Sequence, residues 1–114
     1  MNTAEIRQTC LSLPAVTEGV NWEHDLVLSV GGKIFCVVSL QLPRRYSFNV
    51  KDEQLEELSR QPGCIPAPYL ARVKWVSMTQ PELLNDAQAK DYIMQSYQMV
   101  KAKLTKKQRT QLGM

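Results

Sequence analysis

The chain has 114 residues, of which 44% are hydrophobic and 22% charged. That is too apolar for an intrinsically disordered chain and not apolar enough for a membrane protein. Fourteen basic against eleven acidic side chains leave a net charge of +3; residues 1–114 read as a single domain with one core.

The three cysteines, Cys10, Cys36 and Cys64, are odd in number and widely spaced, and His24 is the lone histidine. This pattern suggests neither a disulfide framework nor the clustered ligands of a zinc site. The expectation is three buried free thiols, with no metal and no cofactor. Free thiols, an N-terminus without an apolar signal core and the lack of a run of roughly 18 apolar residues suggest a cytoplasmic protein away from membranes.

Asn2 or Thr3 is placed to cap a first helix, with Glu5 in its first turn and Ile6, Cys10, Leu11 and Leu13 as its apolar stripe. Pro14 ends it, because proline has no amide hydrogen and clashes with the preceding turn. Leu26 to Val30 and Lys33 to Leu40 read as two strands joined by Gly31-Gly32. Two glycines supply the positive φ angles that a two-residue hairpin needs. The second strand is apolar on both faces, which suggests a central strand covered on both sides or a partner surface.

Leu42-Pro43-Arg44-Arg45 interrupts the pattern, and Arg45 to Val50 alternates as a third strand. Tyr46, Phe48 and Val50 share one face; Arg45, Ser47 and Asn49 share the other. Asp52 is a cap for a short helix that buries Leu55 and Leu58. Residues 61–68 hold three prolines and a glycine and read as a stiff connection. Arg72 to Val76 reads as a strand, with Arg72 and Lys74 on one face and Val73 and Trp75 on the other.

Thr79 to Glu82 has capping-box spacing. A long helix is expected over residues 86–104, since Ile93, Tyr97, Val100 and Leu104 form one stripe. Thr105 to Gln108 repeats the capping-box pattern and opens a short terminal helix.

The mild net charge conceals an asymmetry. Residues 1–60 hold six basic and eight acidic side chains, net −2; residues 61–114 hold eight and three, net +5. Lys101, Lys103, Lys106, Lys107 and Arg109 run without an intervening acid. Such a run is either a phosphate-attracting surface or lysines complementing the negative pole of a helix. Arg44, Arg45, Arg72 and Lys74 form a second basic set, either a nucleic-acid contact or a sheet edge kept soluble by charge. Trp75, beside Lys74, is either a base-stacking platform or core. Either Trp22 and His24 line a ligand cleft or His24 is a surface or hydrogen-bonded histidine; no nucleophile is apparent for it to serve as a base.

Several segments are similar to the MmcQ/YjbR family of small bacterial proteins. They are Cys10-Leu11-Ser12-Leu13-Pro14 with Thr17-Glu18, Val30 to Phe35, Phe48 to Lys51, Pro66 to Tyr69, Lys74-Trp75-Val76, Ser96 to Val100 and Lys103 to Lys107, over about residues 6–109. Leu70 and Ala71 stand where the family often has histidine and asparagine, and Thr105 where it often has proline. The resemblance implies an α+β fold, an antiparallel sheet packed against helices with an N-terminal helix, central hairpin strands and a long C-terminal helix. The layout is likened to frataxin-type folds. It also implies DNA binding through a double-wing arrangement.

The reading that follows is a non-enzymatic DNA-binding protein. It would contact mainly phosphates through Arg44, Arg45, Arg72 and Lys74, with Trp75 if exposed, and Lys103, Lys106 and Lys107. The alternatives are a protein-interaction module or homodimer using an exposed sheet surface, and a small-ligand domain with a pocket lined by Trp22, Tyr69, Trp75 and Tyr97.

Overall fold

The computed structural model describes residues 2–21, 24–41, 45–67, 74–80 and 84–113. In chain order these form α1 (Thr3–Leu11), β1 (Val16–Asn21), β2 (Asp25–Val30), β3 (Lys33–Ser39), β4 (Tyr46–Asn49), α2 (Asp52–Ser59), β5 (Cys64–Pro66), β6 (Trp75–Met78), α3 (Asp86–Lys101) and α4 (Lys106–Gln111). The strands make one antiparallel sheet in the order β1-β2-β3-β4-β6-β5. The molecule therefore has the α+β fold that its resemblance implies.

Capping chemistry sets the helix starts. The Asn2 and Asn85 side-chain oxygens each accept the backbone N–H three residues on, at 2.8 Å, and Thr105 Oγ1 does the same at 3.1 Å. Glu5, Gln88 and Gln108 reach back to the cap amides. Each exchange satisfies two amides that the helix itself leaves unpaired. The cap of α3 is thus Asn85, and α2 starts after Lys51, whose N–H donates to Gln54 Oε1 at 3.0 Å. Asp52, expected as the cap, sits one position later, where its charge still favours the helix dipole.

The register assembles the core in rows. Leu26, Val38, Tyr46, Met78 and Cys64 face one another across five strands; Leu28, Cys36, Phe48, Val76 and Pro66 form the next row. All except Pro66 are buried. α3 lies over β2, β3 and β4, α1 over β1 and β2, and α2 over β5 and β6. The expected stripe of α3 holds: Ile93, Tyr97, Val100 and Leu104 are buried. Each such side chain contributes roughly 1.5–3 kcal/mol through burial. Phe35 meets Tyr97 edge-on at 5.4 Å, and Tyr97 Oη donates to Pro14 O at 2.7 Å, tying α3 to the connection after α1.

Five expectations are corrected. β1 was not foreseen; it is a polar edge strand, exposed after Val16. Residues 61–68 contain β5 rather than only a connection. The strand expected over 72–76 starts at Trp75, and Lys74 has φ +64°, so it turns the chain instead of extending it; Arg72 and Val73 lie outside the described residues. The long helix ends at Lys101 rather than Leu104, and α4 follows after a short turn. Asn49, expected on a polar face, is buried opposite Trp75, because that face is also closed there.

Candidate nucleic-acid interface

The basic residues separate into two ends of the sheet. Arg45 is exposed just before β4, and its carbonyl accepts from Ser39 N at 2.9 Å. Lys74 stands past the other end of β4, where its carbonyl accepts from Val50 N at 2.8 Å. Five residue steps along β4 put these backbones roughly 17 Å apart. Arg45 and Lys74 therefore do not form one patch. Arg44 and Arg72, the other two members of that set, lie outside the described residues.

Trp75 is 7% exposed. A ring so enclosed offers no face for a base to stack on, so its expected contact role is withdrawn. Tyr97 is likewise packed, which leaves it no open pocket to line; Trp22 and Tyr69 lie outside the described residues. An open cleft of about 270 Å³ occurs instead beside α2 and α3, lined by Gln54, Gln88, Asp91, Tyr92 and Gln95. The Gln54 and Gln95 side-chain amides exchange two hydrogen bonds there, Gln54 Nε2 donating at 3.2 Å and Gln95 Nε2 at 2.6 Å.

The end of the sheet that carries Lys74 is more crowded with cations than the sequence suggested. β3 begins at Lys33, β4 is followed by Val50-Lys51, and β6 is preceded by Lys74. Since β3 and β6 run antiparallel to the intervening β4, the two strand starts and the one strand end coincide. Lys33 and Lys51 are exposed and Lys74 is half-buried.

The α3–α4 junction joins the same end. Gly31 and Gly32 close the β2–β3 hairpin with φ of +59° and +80°. A Cβ on Gly31 would lie 2.7 Å from Leu104 Cδ2, so only glycine admits Leu104 against the turn. This contact seats the α3–α4 junction, which carries the exposed Lys103, Lys106 and Lys107, on the hairpin turn that leads into Lys33. Lys101 is engaged otherwise, with Nζ 5.9 Å from the Tyr97 ring centre. Among the described residues, no carboxylate lies within ion-pair distance of Lys33, Lys51, Lys74 or Lys103; Asp52 and Glu53 begin α2 nearby.

Between these strands sits a buried hydroxyl. Ser96 Oγ donates to Phe35 O at 2.6 Å and accepts from Asn49 N at 2.9 Å, bridging β3 and β4 from α3. The bridge falls beside the β-bulge of β3, whose register against β2 shifts between Leu28 and Ser29. It ties β3 near Phe35 and β4 at Asn49 to the same residue of α3.

Lys33 and Lys51 were absent from the sequence-derived set. Lys33 had a signal, its place directly after the Gly-Gly turn; Lys51 had none, because only the strand order aligns it with the others.

Cys10, Cys36 and Cys64 are free and buried, as expected. The Cys36 thiol is pushed well up by its hydrogen bond with Cys10 and by burial, and burial pushes Cys64 up to about 11. Cys36 and Cys64 are therefore protonated at neutral pH and supply no thiolate. Among the described residues, no group of three or more histidine, cysteine, aspartate or glutamate side chains is placed to hold a metal ion. No described helix is long and apolar enough to cross a membrane.

Comparison with known proteins places this architecture. The chain is similar over its whole length to a Deinococcus radiodurans protein with a DUF419 domain, at 26% identity and a TM-score of 0.88, covering 99% of this chain and 88% of that one. A Pseudomonas syringae protein of known structure shares the fold at 16% identity and a TM-score of 0.74, covering 88% of this chain and 99% of that one. No curated protein matches. The YjbR family model matches residues 11–99, from the end of α1 to the last turn of α3, and the chain belongs to the YjbR family.

Proposed function

We propose that this protein is a non-enzymatic DNA-binding protein, and that it contacts the phosphate backbone with the lysine-bearing end of its sheet. The observation supporting the reading is the coincidence of Lys33, Lys51 and Lys74 at the ends of three adjacent strands, with Lys103, Lys106 and Lys107 brought alongside by the Leu104–Gly31 contact. Lysines present point charges to phosphates without fixing a sequence, so binding is salt-sensitive and poor in base readout.

The test is fluorescence anisotropy with duplex DNA at low and fourfold higher salt. If about four phosphates are neutralised, affinity falls by about two orders of magnitude between the two conditions. Replacing Lys33 and Lys74 by glutamine lowers both the affinity and the salt slope, while Arg45→Gln, at the far end, leaves them nearly unchanged. Absence of binding at low salt removes the reading.

A further inference from the structure

The two edges of the sheet are treated differently. β5, at one edge, has three residues and ends in Pro66. Shortness and proline are standard means of keeping an edge from pairing with another chain. β1, at the other edge, has six residues in unbroken register with β2 and contains neither proline nor lysine. Its outer side has no strand partner among the described residues. Val20, on this edge, is 58% exposed.

Gly19 adds an independent observation. A glycine inside a strand weakens it and often marks the close approach of another backbone. Gly31 is required by its positive φ and by Leu104; Gly19 is required by neither. Its φ is not positive, and a Cβ there would meet Val27 Cγ2 at 3.8 Å, an ordinary contact. Nothing within the described fold asks for glycine at this position.

We propose that β1 is a dimerisation edge, pairing antiparallel with β1 of a second copy about a two-fold axis through Gly19. The symmetry narrows the choice, because directly opposed residues in an antiparallel pair must share the same hydrogen-bonding side. An axis through Glu18 would crowd the two Arg7–Glu18 pairs against each other at the axis. An axis through Val20 would pair only residues 19–21 within the strand. An axis through Gly19 pairs residues 17–21, with Gly19 facing the partner's Gly19, Glu18 facing the partner's Val20 and Thr17 facing the partner's Asn21.

Charge supports a second copy over a charged partner. Glu18 is the one ionised residue of β1, and Arg7 neutralises it through two bonds of 2.6 Å. Two such edges meet without like-charge repulsion. α1 lies along β1, so a copy docked on the edge also meets α1; this extends the contact toward the roughly 800 Å² per partner typical of stable interfaces. The proposal is independent of DNA binding, since the lysine-bearing strand ends belong to β3, β4 and β6.

Sedimentation equilibrium over a concentration series into the hundreds of micromolar gives the test. The expected result is a dimer whose dissociation constant rises at least about tenfold in Val20→Lys, with circular dichroism unchanged because Val20 is exposed. Under oxidised glutathione, Gly19→Cys cross-links to a covalent dimer. Asn21→Cys cross-links only when mixed with Thr17→Cys. A wild-type monomer throughout the series overturns the proposal. So does a dimer that Val20→Lys fails to weaken and Gly19→Cys fails to cross-link.

Discussion

The two ends of the sheet are held by different means. At the Lys33 end, a glycine turn, a leucine from the α3–α4 junction and a buried serine lock the strand ends to the helices. At the Arg45 end, the chain is held by backbone bonds, Ser39 N to Arg45 O and Leu40 N to His24 O, and Leu40 is 41% exposed. The difference teaches that charge alone does not nominate a surface. Arg45 was grouped with Lys74 from the sequence but lies at the opposite end of β4, whereas Lys33, Lys51 and Lys74 are distant in sequence and share one buttressed end.

Leu104→Ala challenges this contrast most strongly. It removes a buried side chain from the hairpin turn and should cost about 2–5 kcal/mol in denaturant unfolding. It should also weaken DNA binding, by releasing Lys103, Lys106 and Lys107 from the turn. A loss within about 0.5 kcal/mol, the range of ordinary surface changes, would show that the junction does not buttress this end.

Ser96→Ala comes next. It strips the partner from Phe35 O and Asn49 N in a buried setting, for an expected cost of about 1–3 kcal/mol. Hydrogen exchange should then quicken at Asn49 before it does at Ser39, at the opposite end. Equal acceleration at both ends would erase the distinction between them.

Lys74→Gly separates stability from binding. A left-handed non-glycine residue costs about 1–2 kcal/mol, partly offset by the greater freedom of glycine in the unfolded chain. Stability should stay within about 1 kcal/mol of wild type or rise, while DNA affinity and its salt slope both fall. Unchanged affinity would exclude Lys74 from the interface.

The smallest effect concerns Glu18 on the β1 edge. The hydrogen bond from Arg7, with its charge, holds the Glu18 carboxylate below its usual range. The stabilisation is present above the unfolded carboxylate pKa and is lost as pH falls through the lower folded one. Both groups are exposed, so the effect is slight and screened by salt. Glu18→Gln should flatten the acidic limb of the stability–pH curve a little, and an unaltered limb would show the pair to be idle.

Local chemistry was readable in advance. Gly31-Gly32 could only be a tight turn, Thr105 and Gln108 paired as written, and the spacing of Ile93, Tyr97, Val100 and Leu104 marked a buried helix stripe. β1 escaped notice because an edge strand with polar residues and a glycine has no alternation to detect. Trp75 shows a different limit. Beside a lysine it fits a stacking platform as well as a core, and only its burial opposite Asn49 decides between them.

The sequence by itself determined the turns, the caps, the apolar faces and the excess of cations in the second half, because these depend on neighbours a few residues apart. The tertiary structure decided which cations meet. Antiparallel pairing reverses direction at every strand, so residues far apart in the chain share an end while residues one strand-length apart are divided. Strand order, set by long-range burial under α3, therefore chose Lys33, Lys51 and Lys74 as companions and put Arg45 at the opposite end of β4.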